Sequence, residues 1–232
     1  MGLRSANAVW RANDRRCQAA VFDVKALDVN RECICKVFVD LDNSLLPFDT
    51  VVPAWKQIIK KKVRPNVTKI SIKYGVKNIA KSIMVSCFTE FQEEEYRAFF
   101  YELAEKVIKH IDLDVKMWSE SLVQDKLNIH IVTGSLLPLA EGIAGYLGWG
   151  KSVGTEAETE RGLLTGRIKG ISIKGLEKVE AIKRVFNLKE EDFKFCAAAG
   201  DSYNDRYLME KCSLRCFPKK SSMRLIRYFS SR

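Results

Sequence analysis

Two aspartates, separated by one residue, directly follow a compact apolar segment of the chain. Asp40 and Asp42 come after Val37-Phe38-Val39 and open a polar turn that continues to Ser44. A carboxylate can attack phosphorus and form an acyl phosphate. A second carboxylate two positions on points to the same side of an extended chain, where it can protonate a leaving oxygen and then activate water. The pair therefore suits phosphate-ester hydrolysis, in which Asp40 would be the nucleophile and Asp42 the general acid and base.

Other polar residues follow two further apolar segments with strand character. Thr133 comes after the predicted strand 129–132, and Asp201 and Asp205 come after the predicted strand 193–199. Strands that alternate with amphipathic helices predict an α/β fold with a parallel sheet. In such sheets ligands bind beyond the carboxyl ends of the strands, so we expect these side chains to meet Asp40 and Asp42 there.

The same residues suit a magnesium site. Mg²⁺ takes hard oxygen ligands, and we predict Asp40, Asp201 and the backbone carbonyl of Asp42 as ligands. Thr133 with its adjacent amide, and a lysine, would hold the remaining phosphoryl oxygens.

Each of these features is weak by itself. An Asp-x-Asp sequence often caps a turn, and Gly-Asp-Ser is a common loop. The segment Val21-Phe22-Asp23-Val24-Lys25 has the same local appearance, but the second carboxylate is missing. Short motifs carry a high false-positive rate, so the order and context of the motifs must decide.

That order resembles the four motifs of the haloacid dehalogenase-like (HAD) superfamily over roughly residues 34–220. The segments 40–45, 154–156 and 164–167, with Asp49 and Trp55, are similar to its phosphoserine-phosphatase-like branch (subfamily IB). The resemblance implies a Mg²⁺-dependent phosphatase that hydrolyses a small phosphate monoester through an aspartyl phosphate. By this resemblance Asp40 is the nucleophile and Asp42 is the general acid and base. Thr133 and Gly134 bind the phosphate, and Lys178 neutralises the phosphoryl charge. Asp201 binds the metal, with Asp205 in support. Lys174 competes with Lys178, which is preferred because it opens a helix.

The segment between Asp40 and Thr133 is too long for a simple crossover. In the HAD superfamily a helical cap is inserted at this place. We therefore expect a Rossmann-like parallel sheet flanked by helices, with an inserted helical-bundle cap. The predicted organisation is an N-terminal extension (1–32), a core (33–48 and 126–232) and a cap (49–125).

Charge gives a hint about the substrate. The formal net charge is +10, and residues 56–81 contain nine basic residues and no acidic one. Such a segment can face an anionic substrate, although a solvated helix surface explains it equally well. Asp49 lies where phosphoserine-specific relatives carry an acid that meets the substrate amine, but only Arg64 and Arg97 are candidates for a carboxylate-binding cap arginine. Candidate substrates are phosphoserine, phosphorylated amino alcohols and phosphatidylglycerophosphate-like head groups.

Two other classes of protein are alternatives to the phosphatase. One is a basic module that binds nucleic acid or anionic membrane and carries a vestigial site, which the full set of carboxylates disfavours. The other is a receiver-like phosphoacceptor, which the large insertion disfavours. We expect no obligate nucleic-acid partner and only weak association with anionic membranes. Seven cysteines, an odd number, and the lack of a long apolar segment favour a cytoplasmic protein.

Overall fold

The computed structural model describes residues 34–66 and 76–230. The predicted extension 1–32, together with Asp23, lies outside these residues. Among the described helices, none has the length and apolar character needed to cross a membrane.

A five-stranded parallel sheet forms the centre of the described structure. Its order is β3-β2-β1-β6-β7, and a separate antiparallel hairpin is formed by β4 and β5. Because β1 is central, the residues that follow it lie at the middle of one sheet edge. The predicted α/β class with a parallel sheet flanked by helices is confirmed. The strands are β1 (Lys36–Val39), β2 (Ile129–Leu136), β3 (Val153–Thr155), β4 (Ala157–Glu160), β5 (Leu163–Ile168), β6 (Cys196–Ala199) and β7 (Leu214–Cys216).

Helices lie between these strands and after the last of them. Short 3-10 helices cover Ile108–His110, Lys126–Asn128 and Glu190–Phe195. The α-helices are α1 (Val51–Lys60), α2 (Val76–Ser86), α3 (Glu93–Val107), α4 (Leu113–Glu120), α5 (Leu137–Leu147), α6 (Leu176–Phe186), α7 (Arg206–Lys211) and α8 (Met223–Ser230).

Strand β1 is buried on both faces, which explains its continuous apolar sequence. Val37 and Val39 belong to one apolar core, and Phe38 belongs to a second core on the other side of the sheet. This alternation follows from the period of two in a β-strand. The second core includes Val179 of α6 and Leu225 of α8. The sheet is thus fixed from both sides, which makes the end of β1 a rigid place for a reactive group.

The helices inserted between β1 and β2 share the first core with the sheet. Phe88 makes edge or tilted ring contacts with four neighbouring aromatic side chains, namely Phe91, Tyr96, Phe99 and Phe100. Phe88, Phe99 and Phe100 belong to the same buried cluster as Val37 and Val39. These aromatic side chains are therefore part of the core, while the division into core and cap at residues 48/49 and 125/126 stays a prediction.

One predicted strand begins later than its sequence suggests. The expectation was a strand over 193–199, but residues up to Phe195 belong to the helix Glu190–Phe195 and β6 starts at Cys196. The carboxylate of Asp192 accepts the backbone N–H of Lys189 over 2.7 Å, which stabilises a helical turn at this point.

Candidate active site

Asp40 lies at the carboxyl end of β1 and contacts a buried lysine. Its backbone N–H donates to the carbonyl of Ala199 in β6 over 3.0 Å, so the sheet fixes its position. The ammonium of Lys178, in the first turn of α6, donates to Asp40 Oδ1 over 2.6 Å and to Asp205 Oδ1 over 2.5 Å. All three side chains are buried. The structure therefore brings together the predicted nucleophile, the preferred lysine and one predicted support for the metal.

Burial and charge act against each other in this cluster. Burial raises the pKa of Asp40 well above its ordinary value, although the charge of Lys178 opposes the increase. Burial disfavours the charge on Lys178, but attraction by Asp205 and Asp40 outweighs it and raises the pKa of this lysine. Lys178 therefore stays protonated and keeps one positive charge beside the two carboxylates.

The loop after β6 places Asp201 and Asp205 beside Asp40. Asp205 Oδ2 accepts the backbone N–H of Ser202 over 3.0 Å and its hydroxyl over 2.6 Å. Glycine at position 200 makes this arrangement possible. A Cβ atom there would lie 2.5 Å from Cβ and 2.8 Å from Cγ of Asp205, which is closer than atoms can pack.

The carboxylates of Asp40, Asp201 and Asp205 fit a divalent cation. One oxygen of each lies within 4.8 Å of the others. The Ser44 hydroxyl is 3.3 Å from Asp40 Oδ2 and 3.5 Å from Asp201 Oδ1, so it bridges two of them. Burial, followed by repulsion from Asp205, raises the pKa of Asp201 to about 6, while the charge of Lys178 opposes the change. This donor set consists of hard oxygen atoms, which suits Mg²⁺.

Asp42 points to a different place from the other carboxylates. Its Oδ1 accepts the backbone N–H of Thr50 over 2.8 Å, and its Oδ2 accepts the hydroxyl of Ser135. Asn43 next to it has a left-handed φ of 57°, a conformation that asparagine tolerates, and the chain turns away there. The carboxylate of Asp42 is therefore outside the three-carboxylate cluster, which leaves its backbone carbonyl as the predicted metal contact.

Thr133 and Gly134 lie on an irregular part of β2. This strand pairs with β1 only as far as Ile131 and continues beside β3 with a shift in register. The buried Thr133 Oγ1 accepts the backbone N–H of Ser135 over 3.0 Å. The Gly134 carbonyl accepts the hydroxyl of Thr155 over 2.7 Å and the ammonium of Lys81. Strand β2 was predicted to end at Val132, but it extends to Leu136.

Lys81 on α2 was missed as a site residue. It is only 6% exposed, and its ammonium donates to Gly134. Burial, followed by repulsion from Lys174, lowers the pKa of Lys81 to about 8, while Asp42 and Asp49 oppose the change. The only sequence signal was the basic segment 56–81 that contains it. The alternative lysine, Lys174, packs near Gly134, where an added Cβ would lie 3.3 Å from its Cγ and Cε.

The remaining candidates for substrate recognition lie at the surface. Asp49 is exposed, and its Oδ1 accepts the backbone N–H of Val51 at the start of α1 over 2.9 Å. Arg97 pairs with Glu93 over 3.0 Å and with Glu141. Arg64 is exposed in the segment after α1. Neither arginine has a recorded contact with the carboxylate cluster among the described residues.

The structure is an α/β protein with a parallel sheet. Carboxylates, a buried lysine and a threonine lie together at one edge of this sheet, an arrangement that resembles the active site of a hydrolase. The family model for haloacid dehalogenase-like hydrolases matches residues 37–210, and the chain belongs to this family. The family named from the sequence motifs is thereby confirmed.

Curated relatives agree with the phosphoserine-phosphatase-like branch. The chain is 30% identical over 132 residues to a phosphoserine phosphatase of Archaeoglobus fulgidus, an alignment that covers 55% of this chain and 38% of that protein. It is 33% identical over 109 residues to a phosphoserine phosphatase of Mycobacterium tuberculosis, covering 44% and 35%. The chain thus spans less than two fifths of the length of these two relatives.

The fold also has a solved counterpart. A protein of unknown function from Bordetella pertussis Tohama I superimposes with a TM-score of 0.68 at 20% identity, covering 85% of this chain and 95% of that one. At this identity the likeness concerns the fold alone.

Proposed function

We propose that this chain is a magnesium-dependent phosphatase that hydrolyses small phosphate monoesters through an aspartyl phosphate on Asp40. The observation that carries the proposal is the buried cluster at the end of β1, where Lys178 contacts both Asp40 and Asp205 and Asp201 lies alongside. Titratable groups with strongly perturbed pKa values and specific charge partners cluster at functional sites.

In the proposed first step, a carboxylate oxygen of Asp40 attacks phosphorus. The bond from phosphorus to the leaving oxygen breaks, its electron pair stays on that oxygen, and Asp42 supplies the proton. In the second step water attacks phosphorus, Asp42 takes a proton from that water, and Asp40 and inorganic phosphate are released. Lys178, the Thr133 hydroxyl and the Gly134 amide hold the phosphoryl oxygens throughout.

The proposed cofactor is Mg²⁺, held by Asp40 and Asp201, with the Asp42 carbonyl and Asp205 in support. When bound, the cation would neutralise charge on the phosphoryl group. The close approach of the three carboxylates, with one oxygen of each within 4.8 Å of the others, supports a bound cation at this place.

The inserted segment 49–125 is proposed to act as a cap that excludes water and selects the substrate. Lys81 supports this role, since it reaches from α2 to Gly134 in β2. A cation here would favour leaving groups that carry negative charge. Among the candidates this favours phosphoserine and phosphatidylglycerophosphate-like head groups over phosphorylated amino alcohols. Asp49 is retained as a contact for a substrate amine.

The proposed partner is thus a small phosphorylated molecule, with no obligate nucleic acid. The direct test is a screen of phosphate esters, beginning with p-nitrophenyl phosphate and phosphoserine, in Mg²⁺ and after chelation with EDTA. We expect turnover that EDTA abolishes and added Mg²⁺ restores. No turnover of any ester, combined with tight and salt-sensitive binding to nucleic acid or anionic vesicles, would overturn the proposal in favour of the binding module.

A further inference from the structure

Two buried hydroxyl groups surround the carboxylate of Asp42. Ser135 on β2 and Thr50 immediately before α1 are 3% and 2% exposed, and their hydroxyl oxygens are 2.8 Å apart. The Ser135 hydroxyl donates to Asp42 Oδ2, and the backbone N–H of Thr50 donates to Asp42 Oδ1 over 2.8 Å. Both oxygens of Asp42 are therefore held by groups that the sequence motifs did not indicate.

The direction of the hydrogen bonds follows from the number of protons. A serine hydroxyl has one proton, and Ser135 donates it to Asp42. The hydroxyl of Thr50 must then donate to Ser135 Oγ. The result is a chain of hydrogen bonds from Thr50 through Ser135 to Asp42, with a second, direct bond from the Thr50 backbone to the same carboxylate.

Thr50 is placed where a threonine ordinarily caps a helix. It occupies the N-cap position of α1, yet its side chain makes no capping hydrogen bond. Threonine at this position usually satisfies a free N–H of the first turn. Thr50 has helical backbone angles (φ −69°, ψ −13°), Asp49 Oδ1 accepts the first-turn N–H of Val51, and the Thr50 hydroxyl is left to contact Ser135.

We propose that Ser135 and Thr50 are positioning residues that hold Asp42 where it can deliver its proton to the leaving oxygen. This rests on the proposed phosphatase function. A proton donor contributes only when it lies within hydrogen-bond distance of the leaving oxygen, so its orientation decides the contribution. Because Thr50 precedes the first inserted helix, the chain of hydrogen bonds also ties the orientation of Asp42 to the position of α1.

The leaving group provides a readout that a purely structural role would not change. An alkoxide is a strong base and must be protonated as it leaves, whereas p-nitrophenolate is a weak base and can leave without a proton. The test compares kcat/KM for phosphoserine and for p-nitrophenyl phosphate in wild type and Ser135→Ala. We expect kcat/KM for phosphoserine to fall about ten-fold further than for the aryl ester.

Further variants separate positioning from packing. Thr50→Val keeps the shape but removes the hydroxyl, and should shift the ratio in the same direction by about three-fold, since only the second link is lost. Thr50→Ser retains the hydroxyl and should restore the wild-type ratio. Ser119→Ala removes an equally buried hydroxyl, which bonds the Val115 carbonyl of α4, and should leave the ratio unchanged.

An unchanged ratio in both Ser135→Ala and Thr50→Val, with aryl ester still hydrolysed, would overturn the positioning role and leave the phosphatase proposal intact. A wild-type protein that hydrolyses neither ester would refute both. Thr50→Val keeps the test open if Ser135→Ala does not fold.

Discussion

Lys178 donates a hydrogen bond to Asp40 over 2.6 Å, and both side chains are buried at the end of the central strand. Replacing Lys178 with methionine would leave Asp40 and Asp205 facing each other without a cation. We expect kcat/KM to fall by at least about 100-fold, because the phosphoryl charge loses its partner. The free energy of unfolding should fall by about 3 kcal/mol, the usual loss when a buried ion pair is broken.

Lys183 offers a matched control on the same helix. It pairs with Glu180 and Glu190 at the surface. Lys183→Met should leave both the rate and the urea midpoint close to wild type. Activity of Lys178→Met within about three-fold of wild type would contradict the proposed role, because a catalytic contact is worth far more.

Gly200→Ala tests the geometry of Asp205. The added Cβ would lie 2.5 Å from the Cβ of Asp205, so the carboxylate must move away from Lys178 and Asp201. We expect the Mg²⁺ concentration at half-maximal activity to rise about ten-fold or more, as when the support of a metal ligand is lost. A direct titration with Mg²⁺ by calorimetry should show the same weakening.

Gly145→Ala is the control for that substitution. Nothing lies within 4 Å of a Cβ at position 145, in α5, and the residue has no positive φ. Alanine there should stabilise the protein by about 0.5–1 kcal/mol, because glycine costs backbone entropy in a helix. Equal Mg²⁺ dependence in the two variants would show that the close approach at Gly200 is unimportant.

Lys81 should give the Michaelis constant a pH dependence. Its pKa is lowered to about 8 by burial and by Lys174, so it loses its charge as the pH rises through 8. For a phosphate ester whose leaving group carries a carboxylate, KM should rise about ten-fold between pH 7 and pH 9, following the fraction of protonated lysine.

Lys81→Met should raise KM at pH 7 and remove this rise. Lys60→Met is a control, since Lys60 is exposed at the end of α1. The pH series is measured with phosphoserine at saturating Mg²⁺. If the rise near pH 8 persists unchanged in Lys81→Met, another group is responsible.

His130 predicts an acid-sensitive stability. Burial, followed by the charge of Lys36, lowers its pKa to about 4 from the ordinary value of 6.5. Below pH 6.5 the imidazole of His130 is protonated in the unfolded chain but stays neutral in the folded chain. The contribution of His130 to the free energy of unfolding is therefore present above pH 6.5 and is lost as the pH falls towards 4. From pH 7 to pH 5 the loss should be about 2 kcal/mol.

The measurement is the free energy of unfolding in urea at both pH values, for wild type and His130→Asn. The variant should be less stable at pH 7, because the ring packs against Phe38 and Phe186. It should also lose about 2 kcal/mol less than wild type on acidification. An equal loss of unfolding free energy in the two proteins would show that a group other than His130 causes the acid sensitivity.

The sheet could be predicted because its strands are short, apolar and each followed by polar residues. β1 and β6 are buried on both faces, and strands of this kind are recognised in a sequence as short, continuous apolar segments. The short strand β3, Val153–Thr155, was not recognised as a neighbour of β2, since its glycine and threonine look like turn residues.

Apart from Lys178, which the family resemblance assigned, the site was predictable only where a residue follows a strand in sequence. Asp40 and Asp201 meet this condition, and the structure places them together. Lys81 and Thr50 reach the site through tertiary packing of the inserted helices against β2, the strand that carries Ser135. No local pattern marks such residues, because a lysine on a basic helix or a threonine before a helix has an ordinary local explanation.

The central claim is that Asp40 carries the phosphoryl group. It is tested most directly by quenching the reaction with acid during turnover of p-nitrophenyl phosphate in Mg²⁺ and mapping the protein by peptide mass spectrometry. We expect phosphate on the peptide that contains Asp40, sensitive to hydroxylamine as an acyl phosphate is, and neither label nor turnover in Asp40→Asn. Turnover at the wild-type rate in Asp40→Asn, or label on another residue, would contradict the account.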